Sequence, residues 1–180
     1  MVVRPSLSKA LESADLIHDT AEIQAAIART GREVDALLGG EPAIFLSVMH
    51  GGLIFAAQLA LAIRTDLEFD YVHATRYRGS TTGSELHWIR QPAVTLNART
   101  VVLADDILDE GRTLKAIRDF SLDRGARRVI VAVLCEKKHG RCVPGIRSDV
   151  CSLDVPDRYV FGYGMDYHEQ GRNLPAIYAL

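Results

Sequence analysis

Residues 101–114, with the sequence VVLADDILDEGRTL, constrain the fold of this chain more than any other segment. The segment begins with four apolar residues typical of a buried strand, continues with Asp105 and Asp106, and ends at a predicted helix start. In parallel α/β sheets, ligands bind outside the carboxyl ends of the strands, where these two carboxylates fall. The segment therefore predicts a ligand site at the end of a buried strand.

The helix start itself is suited to an anion. Gly111 and Thr113 lie at the predicted helix N-terminus, which offers backbone N–H groups, a hydroxyl and the positive end of the helix dipole. The paired carboxylates before it would bind diol hydroxyls or, through water, a divalent cation. Neither the GxxxxGK[ST] spacing nor GxGxxG occurs, so the turn is neither a P-loop nor a dinucleotide fingerprint.

The other apolar segments predict an α/β fold. Continuous apolar strands are predicted at residues 43–48, 101–104 and 129–134, and a more polar one at 69–74. Helices are predicted at residues 19–38, 53–63 and 113–124, the first with a capping box at Asp19 and Glu22. Strands without alternation, interleaved with helices, predict a parallel β-sheet flanked by helices on both faces.

Charge and composition exclude several functional classes. The 21 Lys and Arg residues nearly balance 23 Asp and Glu residues, so no basic field favours nucleic acid or anionic lipid. The apolar residues 43–63 contain Gly51 and Gly52 and lack a flanking basic cluster, which favours a strand, turn and helix over a membrane span. Three cysteines without metal-binding spacing fit free thiols in a reducing cytoplasm.

The domain organisation predicted from the sequence is one domain over residues 1–180. The polar composition of residues 76–91 predicts a long loop or open hairpin, and such a loop in a small domain is either disordered or functional. The last forty residues are punctuated by Pro and Gly. We expect a core at about 19–137 and a small hood lobe made of about 14–18 and 138–180.

Residues 101–114 resemble the phosphoribosyl-diphosphate-binding motif of type I phosphoribosyltransferases. The rest of the chain from Asp19, above all YVFGYGMDYHEQGRNLP at 159–175, resembles the hypoxanthine-guanine phosphoribosyltransferases. The resemblance implies a purine salvage enzyme that transfers 5-phosphoribosyl from 5-phosphoribosyl 1-diphosphate to hypoxanthine or guanine, giving IMP or GMP and pyrophosphate. It also implies Mg²⁺ and a homodimer or homotetramer.

The same resemblance implies roles for the acidic residues. Asp105 and Asp106 would contact the ribose hydroxyls with Mg²⁺ close by, and Asp166 would bind a second Mg²⁺. Asp109 would be the general base or acid facing purine N7, where a carboxylate can accept a proton. The 5′-phosphate would be held by the backbone of Glu110, Gly111 and Arg112 and by the Thr113 hydroxyl. Thr or Ser is commoner at the position of Glu110, so its side chain should point away from the phosphate.

The leaving group would be held by the loop at His50 and Gly51 and by Arg172, whose guanidinium fork suits pyrophosphate. In the family this loop often contains a non-proline cis peptide, which we expect between His50 and Gly51. Members of the family often have Lys at the position of His50. A mobile loop that closes over the site would begin at Arg76 and Tyr77, where it would exclude water from the reacting sugar.

The purine would be recognised by three residues. Lys137 would donate to the 6-oxo group, although the neighbouring Lys138 leaves the register open by one residue. Tyr159 would stack on the base, and the main chain of Val160 would read its exocyclic position. Two alternatives remain: a phosphoribosyltransferase for xanthine or another nucleobase, and a nucleotide-sensing regulatory protein on the same fold.

Overall fold

A computed structural model describes residues 5–76 and 86–180 of the protein. In chain order the elements are α1 (Leu7–Ser13), β1 (Asp15–His18), α2 (Thr20–Leu38), β2 (Ala43–Met49), α3 (Leu53–Ala62), β3 (Leu67–Arg76), β4 (Leu86–Arg90), β5 (Thr100–Leu108), α4 (Arg112–Asp123), β6 (Arg128–Lys137), β7 (Val150–Val155), β8 (Val160–Phe161) and β9 (Ile177–Ala179).

The long helix α2 follows from its capping and its apolar spacing. The Asp19 side chain accepts from the Glu22 N–H, and the Glu22 side chain accepts from the Asp19 N–H, which completes the predicted capping box. Ile23, Ile27 and Val34 lie on one face and are fully or almost fully buried. The predicted helix is therefore confirmed, and it covers one face of the sheet.

The main sheet has six strands in the order β4-β3-β2-β5-β6-β7. All neighbouring strands run parallel except β4, which is antiparallel to β3 at the edge. The helices α2 and α3 pack on one face, and α4 packs on the other. Because β5 is buried on both faces, its residues Val101 and Val102 are both completely inaccessible. This confirms the predicted α/β fold as a mixed, mostly parallel sheet.

The strands are longer than the sequence predicts, and the extensions of β5 and β6 bear on the position of the acidic residues. β5 continues to Leu108 rather than ending at Ala104, because β6 runs beside it and pairs Asp105 with Val133 and Leu108 with Glu136. β6 likewise continues to Lys137. The two adjacent aspartates are therefore part of the strand and not of the turn after it.

A second sheet of three antiparallel strands, in the order β1-β9-β8, joins the two ends of the chain. The strand β7 lies in the segment assigned to the hood, but it pairs with β6 in the main sheet. The predicted boundary near residue 138 therefore does not coincide with a boundary between sheets.

The apolar residues 43–63 divide between β2 and the ten-residue helix α3. Within residues 5–76 and 86–180, none of the helices combines the length and the apolar character needed to cross a membrane. The predicted strand and helix are thus observed for this segment.

Candidate active site

Three cavities lie around the carboxyl ends of the central strands. The largest, of about 710 Å³, is lined by the β2–α3 turn, the end of β5 and the start of α4. A second, of about 280 Å³, lies beside the end of β6, and a third, of about 250 Å³, lies between β5 and the segment around β8. Asp109 lines all three cavities.

The largest cavity collects most of the residues that the sequence assigned to ribose, phosphate and pyrophosphate. They are His50, Gly51, Asp105, Asp106, Asp109, Glu110, Gly111, Arg112, Thr113 and Arg172. These residues come from three separate segments of the chain, which the parallel sheet brings to one edge. The cavity therefore brings together residues that the motif assigns to one binding site.

The Asp105 and Asp106 carboxylates lie side by side and are poorly solvated. Asp105 is only 9% exposed, and its Oδ1 accepts the Asp106 N–H at 2.9 Å. Burial raises the pKa of the Asp105 carboxyl well above its usual range, and the charge of Asp106 raises it further. Burial also raises the pKa of Asp106, against the opposing effect of Arg172. The pair is an electrostatically unfavourable arrangement that a bound cation would relieve.

The turn after β2 approaches these carboxylates closely. A Cβ at Gly51 would overlap Oδ2 of Asp106, so a larger residue there would require the Asp106 carboxylate to move. Gly164, at φ +104°, lies so close to the Gly51 carbonyl that a Cβ there would overlap its oxygen. The turn is thus held closely between the Asp106 side chain of β5 and the backbone of the segment after β8.

The cis peptide in this turn lies one residue earlier than predicted. It joins Met49 to His50, not His50 to Gly51. Met49 is the last residue of β2, and His50 begins the turn, so the cis bond falls at the junction between strand and turn. The His50 ring packs edge-on against His73 of β3, with 4.3 Å between ring centroids.

The start of α4 has the form expected of an anion site. Gly111 is the N-cap, and Arg112 and Thr113 open the helix beside the largest cavity. The Glu110 side chain turns back to the Arg112 guanidinium, with 3.0 Å between Oε2 and Nε. The N-terminal end of the helix, with its N–H groups and positive dipole end, therefore adjoins the cavity.

Arg172 is held at the edge of the same cavity. Its guanidinium donates to the Asp166 carboxylate and to the Gly164 carbonyl oxygen, both at 2.8 Å. The other Asp166 oxygen accepts the Glu169 N–H at 2.9 Å. Asp166 itself lines the third cavity, next to Asp106.

The third cavity collects the residues predicted to bind a base. Lys137, Tyr159 and Val160 line it together with Asp109 and Asp166. The Lys137 side chain is 12% exposed, and its Nζ donates to Asp109 Oδ2 at 2.7 Å. The Lys138 side chain is 61% exposed and instead pairs with Glu136 and Asp154.

The pKa of Asp109 is lowered, whereas the pKa values of Asp105 and Asp106 are raised. Burial alone would raise the pKa of Asp109, but hydrogen bonds from Lys137 and His139 hold it below its ordinary value. His139 Nε2 lies 2.6 Å from Asp109 Oδ1. Sequence reasoning missed this histidine, because its partner lies 30 positions away in the chain.

The two residues predicted to begin a mobile loop, Arg76 and Tyr77, lie where the first described range ends. Arg76 ends β3, and its backbone pairs with that of Leu86 in β4. Tyr77 lies outside the described residues. Within the described ranges, no group of three or more His, Cys, Asp or Glu side chains could hold a metal ion by itself.

Residues 13–170 match the family model of the phosphoribosyl transferase domain. This match spans most of the chain and includes all of the largest cavity except Arg172. The chain therefore belongs to the phosphoribosyltransferase family, within which its relatives are hypoxanthine-guanine phosphoribosyltransferases. The resemblance first seen in residues 101–114 and 159–175 is confirmed.

Two of these relatives are streptococcal proteins. A hypoxanthine-guanine phosphoribosyltransferase of Streptococcus pneumoniae is 35% identical over 89% of this chain and 88% of its own length. The protein of that name from Streptococcus agalactiae is 36% identical over 82% of each chain. A solved hypoxanthine phosphoribosyltransferase from Staphylococcus aureus superposes with a TM-score of 0.88, at 27% identity, over 98% of this chain and 96% of its own.

Proposed function

We propose that this protein transfers the 5-phosphoribosyl group from 5-phosphoribosyl 1-diphosphate to N9 of hypoxanthine or guanine, releasing pyrophosphate and giving IMP or GMP. The observation that carries the proposal is the position of Asp109, which lines both the large polar cavity and the smaller cavity with Lys137 and Tyr159. A sugar phosphate in the first cavity and a flat base in the second would meet at this carboxylate.

In the large cavity, protein groups suited to bind phosphate lie at positions for both ends of 5-phosphoribosyl 1-diphosphate. The N-terminus of α4, from Gly111 to Thr113, would hold the 5′-phosphate through backbone N–H groups and the Thr113 hydroxyl. The backbone of Gly51, at the opposite side, and the Arg172 guanidinium would hold the pyrophosphate. The ion pair between Glu110 and Arg112 supports the expectation that the Glu110 side chain points away from the phosphate.

Mg²⁺ fits the donor set of this cavity. Mg²⁺ is typically held by one or two carboxylates, water and substrate phosphates rather than by an all-protein cage. The pair Asp105 and Asp106, with its raised pKa values, supplies such carboxylates, and Asp166 is a third one nearby. When bound with the donor, the metal would neutralise and orient the leaving pyrophosphate.

At the base end, Lys137 would exchange partners. In the absence of a base its Nζ donates to Asp109 Oδ2, and the 6-oxo group of a purine in the third cavity would compete for the same donor. Transfer of Lys137 to the base frees Oδ2 and removes one of the groups that lower the pKa of Asp109. Asp109 would then be a better acceptor for the N7 proton of the purine. Tyr159, which is 46% exposed, presents a ring on which the base can stack.

We also propose a homo-oligomer, a dimer or a tetramer, in the cytoplasm. The supporting observation is an apolar surface on the α2–α3 side of the main sheet. Leu61 of α3 is 84% exposed and Phe69 of β3 is 62% exposed. Exposed apolar surfaces of this kind mark protein interfaces, and a second copy of the chain would cover them. Light scattering after size-exclusion chromatography tests this, and a monomer at every concentration would contradict it.

A panel of four bases tests the proposed reaction. Hypoxanthine, guanine, xanthine and adenine are incubated with 5-phosphoribosyl 1-diphosphate, with Mg²⁺ and with a chelator, and nucleotide formation is followed by absorbance. We expect turnover of hypoxanthine or guanine that requires the metal. A filter-binding measurement with DNA and RNA runs beside it, and nucleic-acid binding without turnover of any base would favour a regulatory protein instead.

A further inference from the structure

His139 lies in the turn after β6 and contacts the carboxylate on which the proposed reaction depends. Its Nε2 is 2.6 Å from Asp109 Oδ1, and its side chain is only 5% exposed. Lys137 Nζ takes the other oxygen, Oδ2, at 2.7 Å. Each oxygen of the Asp109 carboxylate therefore contacts a different side chain.

The backbone determines which His139 nitrogen carries the proton. The Arg141 N–H donates to His139 Nδ1 at 3.0 Å. A backbone N–H can only donate, so Nδ1 must present a lone pair. The proton of the neutral ring therefore lies on Nε2, and His139 acts as a donor to Asp109.

We propose that His139 is a positioning residue, which holds Oδ1 of Asp109 so that Oδ2 is the oxygen that receives the proton from purine N7. The inference rests on the proposed function, in which Lys137 leaves Oδ2 for the 6-oxo group. In that step the N9–C1′ bond forms, and the bond from C1′ to the pyrophosphate oxygen breaks with its electron pair leaving on pyrophosphate. The N7 proton passes to Oδ2.

The geometry explains why a second donor is needed. Once Lys137 has turned to the base, His139 is the remaining side chain among the described residues that contacts Asp109 directly. Without it, the carboxylate could rotate and present either oxygen. Other ionisable groups near this site, among them Arg141, Cys142 and Asp157, act through space rather than by a hydrogen bond to Asp109.

Two substitutions at one position separate the donor from the rest of the side chain. His139→Leu fills similar space without a donor, whereas His139→Gln can place an amide N–H close to the position of Nε2. A hydrogen bond to a charged group is worth enough that its loss should lower the single-turnover rate about 10- to 100-fold in His139→Leu. His139→Gln should recover most of that rate. His18→Leu is a matched control, because His18 also faces a carboxylate, that of Glu22, outside the three cavities.

The Asp109→Asn background supplies the decisive comparison. If His139 acts through Asp109, adding His139→Leu to Asp109→Asn should lower the rate no further. In addition, the acid limb of the pH profile for His139→Leu should move to higher pH, because the carboxylate has lost a group that lowers its pKa. If His139→Leu does not fold, His139→Asn, whose amide is too short to reach Oδ1, takes its place.

Two results would overturn the inference: an unchanged single-turnover rate in His139→Leu, or the same loss in the presence and absence of the Asp109 carboxylate. Failure of the proposed function looks different, because the unsubstituted protein would then turn over none of the bases. Thermal unfolding of every variant shows whether a lower rate reflects a less stable fold.

Discussion

The chain carries two kinds of carboxylate within five residues at the end of β5, and their pKa values are shifted in opposite directions. Burial raises the pKa of Asp105 and Asp106, whereas Lys137 and His139 lower that of Asp109. All three carboxylates lose solvation, but Asp105, at 9% exposed, is buried more deeply than Asp109, whose side chain is 38% exposed. The partners add to this difference, because Asp105 faces the like charge of Asp106 whereas Asp109 accepts hydrogen bonds from Lys137 and His139.

This contrast assigns different chemistry to the two groups. Among the described residues, no Lys or Arg side chain donates a hydrogen bond to Asp105 or Asp106, which suits the proposed binding of a cation together with the substrate. A carboxylate that already has a cation beside it is held ionised until that cation moves, which suits a proton acceptor. The following predictions test the contrast, from the largest expected effect to the smallest.

Asp109→Asn should have the largest effect. The amide cannot accept the N7 proton, so turnover should fall about 10²- to 10⁴-fold, while the affinity for 5-phosphoribosyl 1-diphosphate stays within a few-fold. Single-turnover kinetics and equilibrium binding measure the two quantities separately. An unchanged rate would remove Asp109 from the mechanism.

Lys137→Gln should weaken the binding of the base rather than the binding of the sugar phosphate. We expect the KM for hypoxanthine or guanine to rise about 10- to 100-fold, because a charged donor to the 6-oxo group is lost. Lys138→Gln is the matched control, since its side chain pairs with Glu136 and Asp154 away from the base cavity. Equal effects at the two positions, measured by steady-state kinetics, would contradict the assignment.

Asp70→Asn tests a carboxylate whose pKa is lowered, like that of Asp109, but which lies outside the three cavities. Asp70 is 6% exposed and accepts the N–H groups of Tyr71, Ala93 and Val94. Burial would raise its pKa, but these donors lower it. The substitution should cost about 2 kcal/mol of unfolding free energy at pH 7.

The pH dependence of that cost has a definite sign. A depressed folded-state pKa stabilises above the unfolded value of about 4, and the stabilisation disappears as the pH falls through the folded value. The difference between Asp70→Asn and the unsubstituted protein in urea denaturation should therefore shrink below about pH 4. The exposed Asp66, changed to Asn, should stay within about 0.5 kcal/mol.

Asp105→Asn should have the smallest effect on stability, and with the opposite sign. A raised folded-state pKa means that the ionised pair destabilises the fold at neutral pH. In the presence of a chelator, we expect the substitution to raise the unfolding free energy at pH 7 by about 1 kcal/mol, since Asn keeps the oxygen that accepts the Asp106 N–H. A loss of stability in urea denaturation would contradict this, whatever happens to activity.

The sequence predicted the parts of this molecule that depend on local pattern. The α2 capping box, the strand at β2 and the helix start at Gly111 all follow from residues close in the chain. The motif at residues 101–114 also indicated where the candidate ligand site lies, because the order of strand, acidic pair and helix is itself a local pattern.

The remainder depends on tertiary neighbours and could not be read from one segment. β5 extends past Ala104 only because β6 pairs with it, and β7 belongs to the main sheet for the same reason. His139 was missed because a histidine in a polar turn has no signature until Asp109 is placed beside it. The pKa directions likewise require burial and partners, which the sequence does not contain.

The contact between Gly51 and Gly164 has a consequence for recombining this protein with its relatives. Peptide groups from two distant segments touch there, and Asp106 closes the third side. A chimera that takes its C-terminal segment from another parent inherits this fit only if both glycines are retained together. A methyl group at Gly51 would overlap the Asp106 carboxylate, and one at Gly164 would overlap the Gly51 carbonyl oxygen, so these three residues should be exchanged as one unit.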